Sequence, residues 1–225
     1  MAKSELAAKR QKSDLRKVRS ERSSKRLLEA ATELIAEQGY SATSIAQIAQ
    51  KAGYSHGLVS QRFGSKSDLI RMLAREFQSY FAIDRLEPAL RERSGLDALI
   101  VIVETYVDAV AGGTLGRAYY ELFGESIVLV PEIHDIFVKA DRNFRELLMK
   151  TIRSAIALGE ISANVNVRAL ASVVLSIIRG TSMQWLLDGG SLDLPAINAE
   201  VRRVFELAFA RPAVASSKRV SKANS

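Results

Sequence analysis

Residues 45–63 read IAQIAQKAGYSHGLVSQRF, and their spacing decides the fold. Two short helices that cross closely need a small residue at the crossing and a glycine able to take positive φ in the turn between them. They also need an apolar residue that locks the second helix onto the first. Ala49, Gly53 and Val59 stand at those places, at separations of four and six. Ile45, Ile48 and Phe63 add apolar anchors. Ser44–Ile45–Ala46–Gln47 has the form of a capping box opening the first helix, and Ser55 caps the second. The pattern is a helix-turn-helix. Helices this short bury too little surface to stand alone, so flanking helices must complete their core.

Those flanking helices are legible. Upstream, Leu27, Ala31, Leu34 and Ile35 share one helical face, and Gly39 is a natural stop. Downstream, Ser65–Lys66–Ser67–Asp68 is a second capping signature and opens a longer fourth helix through about Ile83. Beyond Pro88 and Ser94–Gly95, helical patterns cover about 96–111, 115–128, Pro131 to Leu158, 167–187 and a last stretch to about Arg211. The stretch 167–187 is apolar on most sides and is expected to be buried from two directions. No segment alternates as a strand does, so the chain reads as all-α with about nine helices. The organisation expected is a flexible basic arm over 1–20, a helix-turn-helix domain over 21–68, and a linking fourth helix over 69–83. A helical second domain follows over 84–211, with a disordered tail over 212–225.

Charge is concentrated at one end. The first 26 residues hold ten basic side chains (Lys3, Lys9, Arg10, Lys12, Arg16, Lys17, Arg19, Arg22, Lys25 and Arg26) against Glu5, Asp14 and Glu21. This accounts for the whole net charge of +7. Such an arm seeks phosphate, on nucleic acid or on an anionic membrane, unless it is only a solvated tail; of these, double-stranded DNA is the partner expected here. The chain has no cysteine, which excludes disulfides and thiolate chemistry, and only two histidines, His56 and His134, which leaves no multi-histidine metal site. No cofactor or metal is expected. The basic start is followed by no secretory apolar run. The apolar stretch Ala169–Ile178 reads as too short to span a bilayer, so a cytoplasmic protein without a membrane partner is expected.

One motif points elsewhere. Gly53–Tyr54–Ser55–His56–Gly57 fits the G-x-S-x-G of hydrolase nucleophile elbows. That chemistry needs a strand feeding a strained turn and a converging acid and histidine. Here a helix precedes the glycine, and the same residues serve the helix-turn-helix. The chain is therefore expected not to be an enzyme.

The run from Arg26 to Leu69, with Ala30–Ala31, Gly39–Tyr40, Ile48–Ala49, Ala52–Gly53, Ser55, Gly57, Phe63 and Ser65–Lys66, resembles the N-terminal domain of TetR-family transcriptional regulators. The resemblance implies a three-helix DNA-binding domain and a C-terminal helical domain that dimerises through its last two long helices and encloses a ligand pocket. It implies a homodimeric regulator, most often a repressor released by a small, mostly apolar ligand. The alternative is a DNA-binding activator or architectural protein without a ligand, and a closed cavity in the second domain separates the two. One departure stands out: the family's usual tyrosine is Ser60 here, and its frequent histidine is Arg62.

With Val59 and Phe63 facing inward, His56, Leu58, Ser60 and Gln61 fall on or near the exposed side of the third helix. Gln61 suits an adenine edge and Leu58 a thymine methyl. Ser44, Ser55 and Lys66 stand at helix N-termini, which favour phosphate, and Arg62 adds charge. In the second domain, Phe81, Tyr106, Tyr120, Phe123 and Trp185 are aromatic candidates for the pocket. Arg179, inside an apolar helix, needs a carboxylate from the protein or from a ligand. Val174, Ile178, Val201 and Phe205 are expected at the dimer interface. The arm yields a direct test. Deleting residues 2–20 is expected to weaken binding to any duplex and flatten its salt dependence through lost counterion release, measured by titration across salt concentrations. An unchanged slope would make the arm a bystander.

Overall fold

The computed structural model of the chain describes residues 2–128 and 131–209. The expected end of the last helix at Arg211 and the tail 212–225 lie outside these. The helices run α1 (Ala2–Ala42), α2 (Ile45–Ala52), α3 (His56–Phe63) and α4 (Lys66–Ser79). Helix α4 continues without a break into a π-helical stretch, Tyr80–Leu86, and the single turn α5 (Glu87–Ala89). Then come α6 (Gly95–Ala111), α7 (Thr114–Val128), α8 (Pro131–Ala157), α9 (Val167–Asp188) and α10 (Leu194–Phe209). Among the described residues there is no strand and there are nine helices of two turns or more, as expected.

The N-terminal arm is the first departure. Its backbone is helical from Ala2 onward, where a flexible segment was expected. No glycine or proline occurs before Gly39, and alanine, lysine, arginine, glutamate and leucine, all strong helix formers, dominate the stretch. Helix α1 is broken only at Gly39, where φ is 80°.

Two cores result. The smaller gathers Leu27, Ala30 and Ala31 of α1, Ile48 and Ala49 of α2, Val59 and Phe63 of α3, and Leu69 of α4. The larger takes Ile35, Ala36 and Tyr40 from the same α1, and Ile70, Leu73, Ala74 and Phe77 from the same α4. Both helices therefore belong to both cores, and on α4 the division falls between consecutive residues. Helix α6 is the centre of the larger core: Ala98–Val103 are buried in succession, as a helix packed on most sides requires.

Where α1 ends, a carboxylate from α7 joins the two parts. Glu125 accepts from the backbone N–H of Tyr40 at 2.6 Å and of Ser41 at 3.0 Å, and from the Ser41 hydroxyl at 2.5 Å. Hydrogen bonds to an ionised carboxylate are stronger than neutral ones, so this is a firm hold on the turn that leads into α2. On the other side, the Lys66 ammonium donates to the Tyr40 carbonyl at 2.6 Å and lies 3.7 Å from the centre of its ring.

The expected interface residues need correcting. Val174, Ile178 and Phe205 are buried within a single protomer's larger core, so they offer no surface to a partner, and Val201 is half-buried against them. A wide apolar pattern along a helix does not say which of its faces turns inward. The span reading also changes. Ala169–Ile178 lies within α9, whose length and apolarity are enough to cross a membrane. Here that helix packs against α6 and α8, and its Ala171, Val174 and Ile178 are fully buried.

Gly39 carries the tightest test of the junction. A Cβ there would lie 2.7 Å from the Glu125 carboxylate on a backbone that side chains rarely adopt. Gly39→Ala is expected to cost roughly 1–3 kcal/mol in denaturant unfolding. In a Glu125→Ala background the cost should shrink. An equal cost in both backgrounds would mean that the carboxylate does not press on this turn.

Candidate functional site

The helix-turn-helix closes as its residues dictate. Ser44 caps α2 with the full capping box: its hydroxyl accepts from Gln47 N–H at 3.2 Å, and Gln47 returns a carbonyl oxygen to Ser44 N–H at 2.7 Å. Gly53 ends α2 at φ 74°, the left-handed conformation that the turn requires. Ser55 caps α3 by accepting from Leu58 N–H. Val59 and Phe63 point into the small core. His56, Gly57, Ser60, Gln61 and Arg62 are exposed, and Leu58 is half-covered.

Of the expected contact residues, His56, Ser60 and Gln61 thus share the open side of α3. Ser44 and Ser55 stand at helix starts, with hydroxyl protons that have no acceptor among the described residues. Two cations are already engaged. Arg62 donates to the Ser20 hydroxyl of α1, and Lys66 is held on Tyr40. Lys17, Arg19, Arg22 and Arg26 extend the basic surface along α1, all exposed. Lys51, by contrast, pairs with Glu33 at 3.0 Å and Glu37 at 3.4 Å within this part of the fold. The hydrogen bond that Lys51 donates to Glu33 is the main reason its pKa is raised.

The second feature is a cavity of about 200 Å³ among α4, its π-helical continuation, α6, α7, α8 and α9. Aromatic rings make most of its wall. Phe77 stacks on Tyr119 with centroids 4.3 Å apart, Tyr106 stacks on Phe144 at 5.0 Å, and Phe81 meets both Tyr106 and Phe144 edge-on. Burial pushes the Tyr106 and Tyr119 phenols well up, so both stay neutral. Polar groups are few: Gln78, Asn143, Asp141 and Arg179. Arg179 bonds to Asp141 at 2.5 Å and lies 4.5 Å from the centre of the Phe123 ring. The carboxylate that the sequence demanded for this arginine is therefore supplied by the protein.

Phe81, Tyr106 and Arg179 line the cavity as expected. The other three candidates do not. Tyr120 is buried against Tyr119 and Phe123, one residue and about 100° around α7 from the wall. Phe123 lies outside the cavity, under Arg179. Trp185 covers Gly189 at the end of α9. Of the other wall residues, Phe77, Tyr119 and Phe144 belong to the aromatic stock of the sequence without being singled out in it, and sequence reading missed Asp141 and Leu147. Periodicity offered a partial signal, since Phe77 and Phe81 share a face of α4, and Asp141, Phe144 and Leu147 recur every third residue along α8.

Comparison with known proteins agrees with this architecture. Residues 27–73 match the model of the family described as bacterial regulatory proteins, tetR family. The fatty acid metabolism regulator protein of Bacillus subtilis is 25% identical over 178 residues, covering 78% of this chain and 89% of its own. The transcriptional repressor KstR2 of Rhodococcus jostii is 28% identical over 176 residues, covering 76% and 83%. The crystal structure of the regulator FadR from Bacillus subtilis in complex with stearoyl-CoA shares the fold, with a TM-score of 0.60 at 21% identity. It covers 80% of this chain and 96% of that one. Its helix-turn-helix segment thus matches the tetR family of bacterial regulatory proteins, and regulators and a repressor of transcription align along most of the chain.

Proposed function

We propose that the protein is a homodimeric repressor that occupies a palindromic operator and leaves it when a small, mostly apolar ligand fills the aromatic cavity. One observation carries this reading. The first turns of α4 join the core under α3, and its last turn and π-helical continuation, through Phe77 and Phe81, wall the cavity. A ligand that separates those rings moves the helix on which the DNA-facing core rests. The Glu125 hold on Tyr40 and Ser41 gives α7, which carries the wall residue Tyr119, a second route to the same core. A relative named for fatty acid metabolism and a structural neighbour solved with stearoyl-CoA favour a ligand with an acyl chain. The aromatic lining of the cavity, which is partly open to solvent rather than closed, favours this reading over an architectural protein without a ligand. A regulator that binds DNA is expected to work in the cytoplasm, where its operator lies.

On DNA, α3 is proposed to enter the major groove. Gln61 and Leu58 would read bases, His56 and Ser60 would stand beside them, and Ser44, Ser55, Arg62 and Lys66 would meet phosphate. Ser60 reaches less far than tyrosine, which shifts the weight of recognition toward Gln61 and the helix starts. Dimerisation is proposed through the outer faces of α9 and α10. There Val173, Met183 and Leu187 on α9 and Val204 and Leu207 on α10 are more than half exposed. Apolar surface left open along two adjacent helices fits an isologous contact between two copies.

Selection from random duplex is expected to return a two-fold symmetric site with half-sites roughly 34–36 Å apart, or a larger helical spacing. Gln61→Ala should relax one position in each half-site by about 1–3 kcal/mol. An asymmetric site would overturn the dimeric reading. Combined Val173→Asp and Leu207→Asp substitutions are expected to yield a folded monomer by light scattering and circular dichroism. Ile178→Asp, in the protomer core, should instead unfold the chain, since even truncating such a side chain costs about 2–5 kcal/mol. A double variant that stays dimeric would remove this face as the interface. Operator and ligand must also weaken each other's binding by the same factor. Titration of decanoyl-coenzyme A with and without operator measures this, and equal affinities would exclude release by that ligand.

A further inference from the structure

We propose that the recess on the outer side of Arg179 seats the anionic head of an amphipathic ligand whose apolar body occupies the aromatic cavity. The inference rests on the ligand-binding reading of that cavity and adds what the ligand must carry.

The recess measures about 410 Å³ and shares Asp141 and Arg179 with the cavity, so the two spaces meet at one ion pair. Its wall holds Arg142, Arg145 and Arg179 against the single carboxylate of Asp141, with His134 nearby. Asp141 pairs with both Arg145 and Arg179, while Arg142 makes no ion pair among the described residues. Three guanidiniums facing one carboxylate leave an excess of two positive charges. One carboxylate also cannot occupy the donors of two guanidiniums, each of which presents five N–H groups. His134 places Nδ1 3.1 Å from the Ser126 carbonyl. A carbonyl only accepts, so Nδ1 carries the proton and Nε2 is left for another partner.

Such an arrangement is incomplete without a further anion. A carboxylate or phosphate entering the recess gains unused guanidinium donors and relieves the crowding of like charges. The Phe123 ring beneath Arg179 holds that guanidinium in place at the boundary. A neutral ligand of the same length fills the cavity and gains none of this. The shared chemistry is an anionic oxygen at the end of an apolar chain, which a free fatty acid supplies as a carboxylate and an acyl group on a phosphorylated carrier supplies as phosphate.

The test is calorimetric titration of the full chain with decanoate, decanol and decanoyl-coenzyme A. At least one anionic form is expected to bind roughly tenfold tighter than decanol, as hydrogen bonds to charged groups imply. Arg142→Ala and Arg179→Gln are expected to reduce the ratio of anion to decanol affinity by a similar factor. Arg142 is exposed and unpaired, so its variant should keep the wild-type melting temperature and isolate charge from folding. Decanoyl-coenzyme A binding tighter than decanoate, with most of the loss in Arg142→Ala, assigns a phosphorylated head. Decanoate binding as tightly assigns a lone carboxylate. Decanol matching both anions, or an affinity ratio unmoved by either substitution, overturns the head site while leaving the cavity reading standing. Binding of none of the three by protein that still binds its operator overturns the cavity reading itself.

Discussion

Helices α2 and α3 have eight residues each, and helices of about two turns are not stable in water without something to pack against. Everything else in the structure answers that shortage. The capping serines close their ends, Gly53 turns one into the other, and α1 and α4 supply the apolar floor through Leu27, Ala31 and Leu69. Because α1 and α4 also run into the larger core, the helix-turn-helix cannot be an independent module. Its position is inherited from helices that continue into that core, α4 as far as the cavity wall.

This shared construction gives the molecule its mechanical character. At the end of α1 the chain must leave the helix at Gly39 and start again at Ser44, and that turn is gripped from both sides. Glu125 holds its amides from α7, and Lys66 holds its carbonyl from α4. Arg71 of α4 reaches Asp135 of α8 at 3.0 Å, a further tie between the linking helix and the cavity wall. That pair is partly exposed and of the kind that contributes little stability. The Glu125 contact differs because it satisfies backbone groups rather than another mobile side chain.

The cavity has a similar economy of parts. Its rings come from α4, α6, α7 and α8, so no one helix can shift without disturbing a stacked or edge-on contact made by another. Its charged groups are a single pair, Arg179 and Asp141. A half-buried arginine needs a carboxylate close by, and Asp141 sits one turn before Arg145 on α8, so the same carboxylate serves both. Apolar specificity and charge are thereby kept in adjacent spaces with a common wall.

The sequence by itself determined the helix-turn-helix, its caps and its stops, because each depends on residues a few positions apart: Ser44 with Gln47, Ala49 with Gly53, Val59 with Phe63. It also determined the all-helical class and the helix order, since a helix period repeats within one segment. The absence of glycine and proline up to Gly39 also pointed to helix over the basic arm, whose backbone is helical from Ala2. What only the tertiary structure decided is which side of each long helix looks where. On α9, Val173 and Val174 are equally apolar neighbours, yet one is open and the other buried, because α6 and α8 cover a single side. On α7, Tyr119 faces the cavity and Tyr120 does not. The Glu125 hold on Tyr40 and the Arg179 pairing with Asp141 join residues far apart in the chain, and no local spacing encodes such a meeting. Local chemistry chose the elements, and the packing of elements that are distant in sequence chose the site.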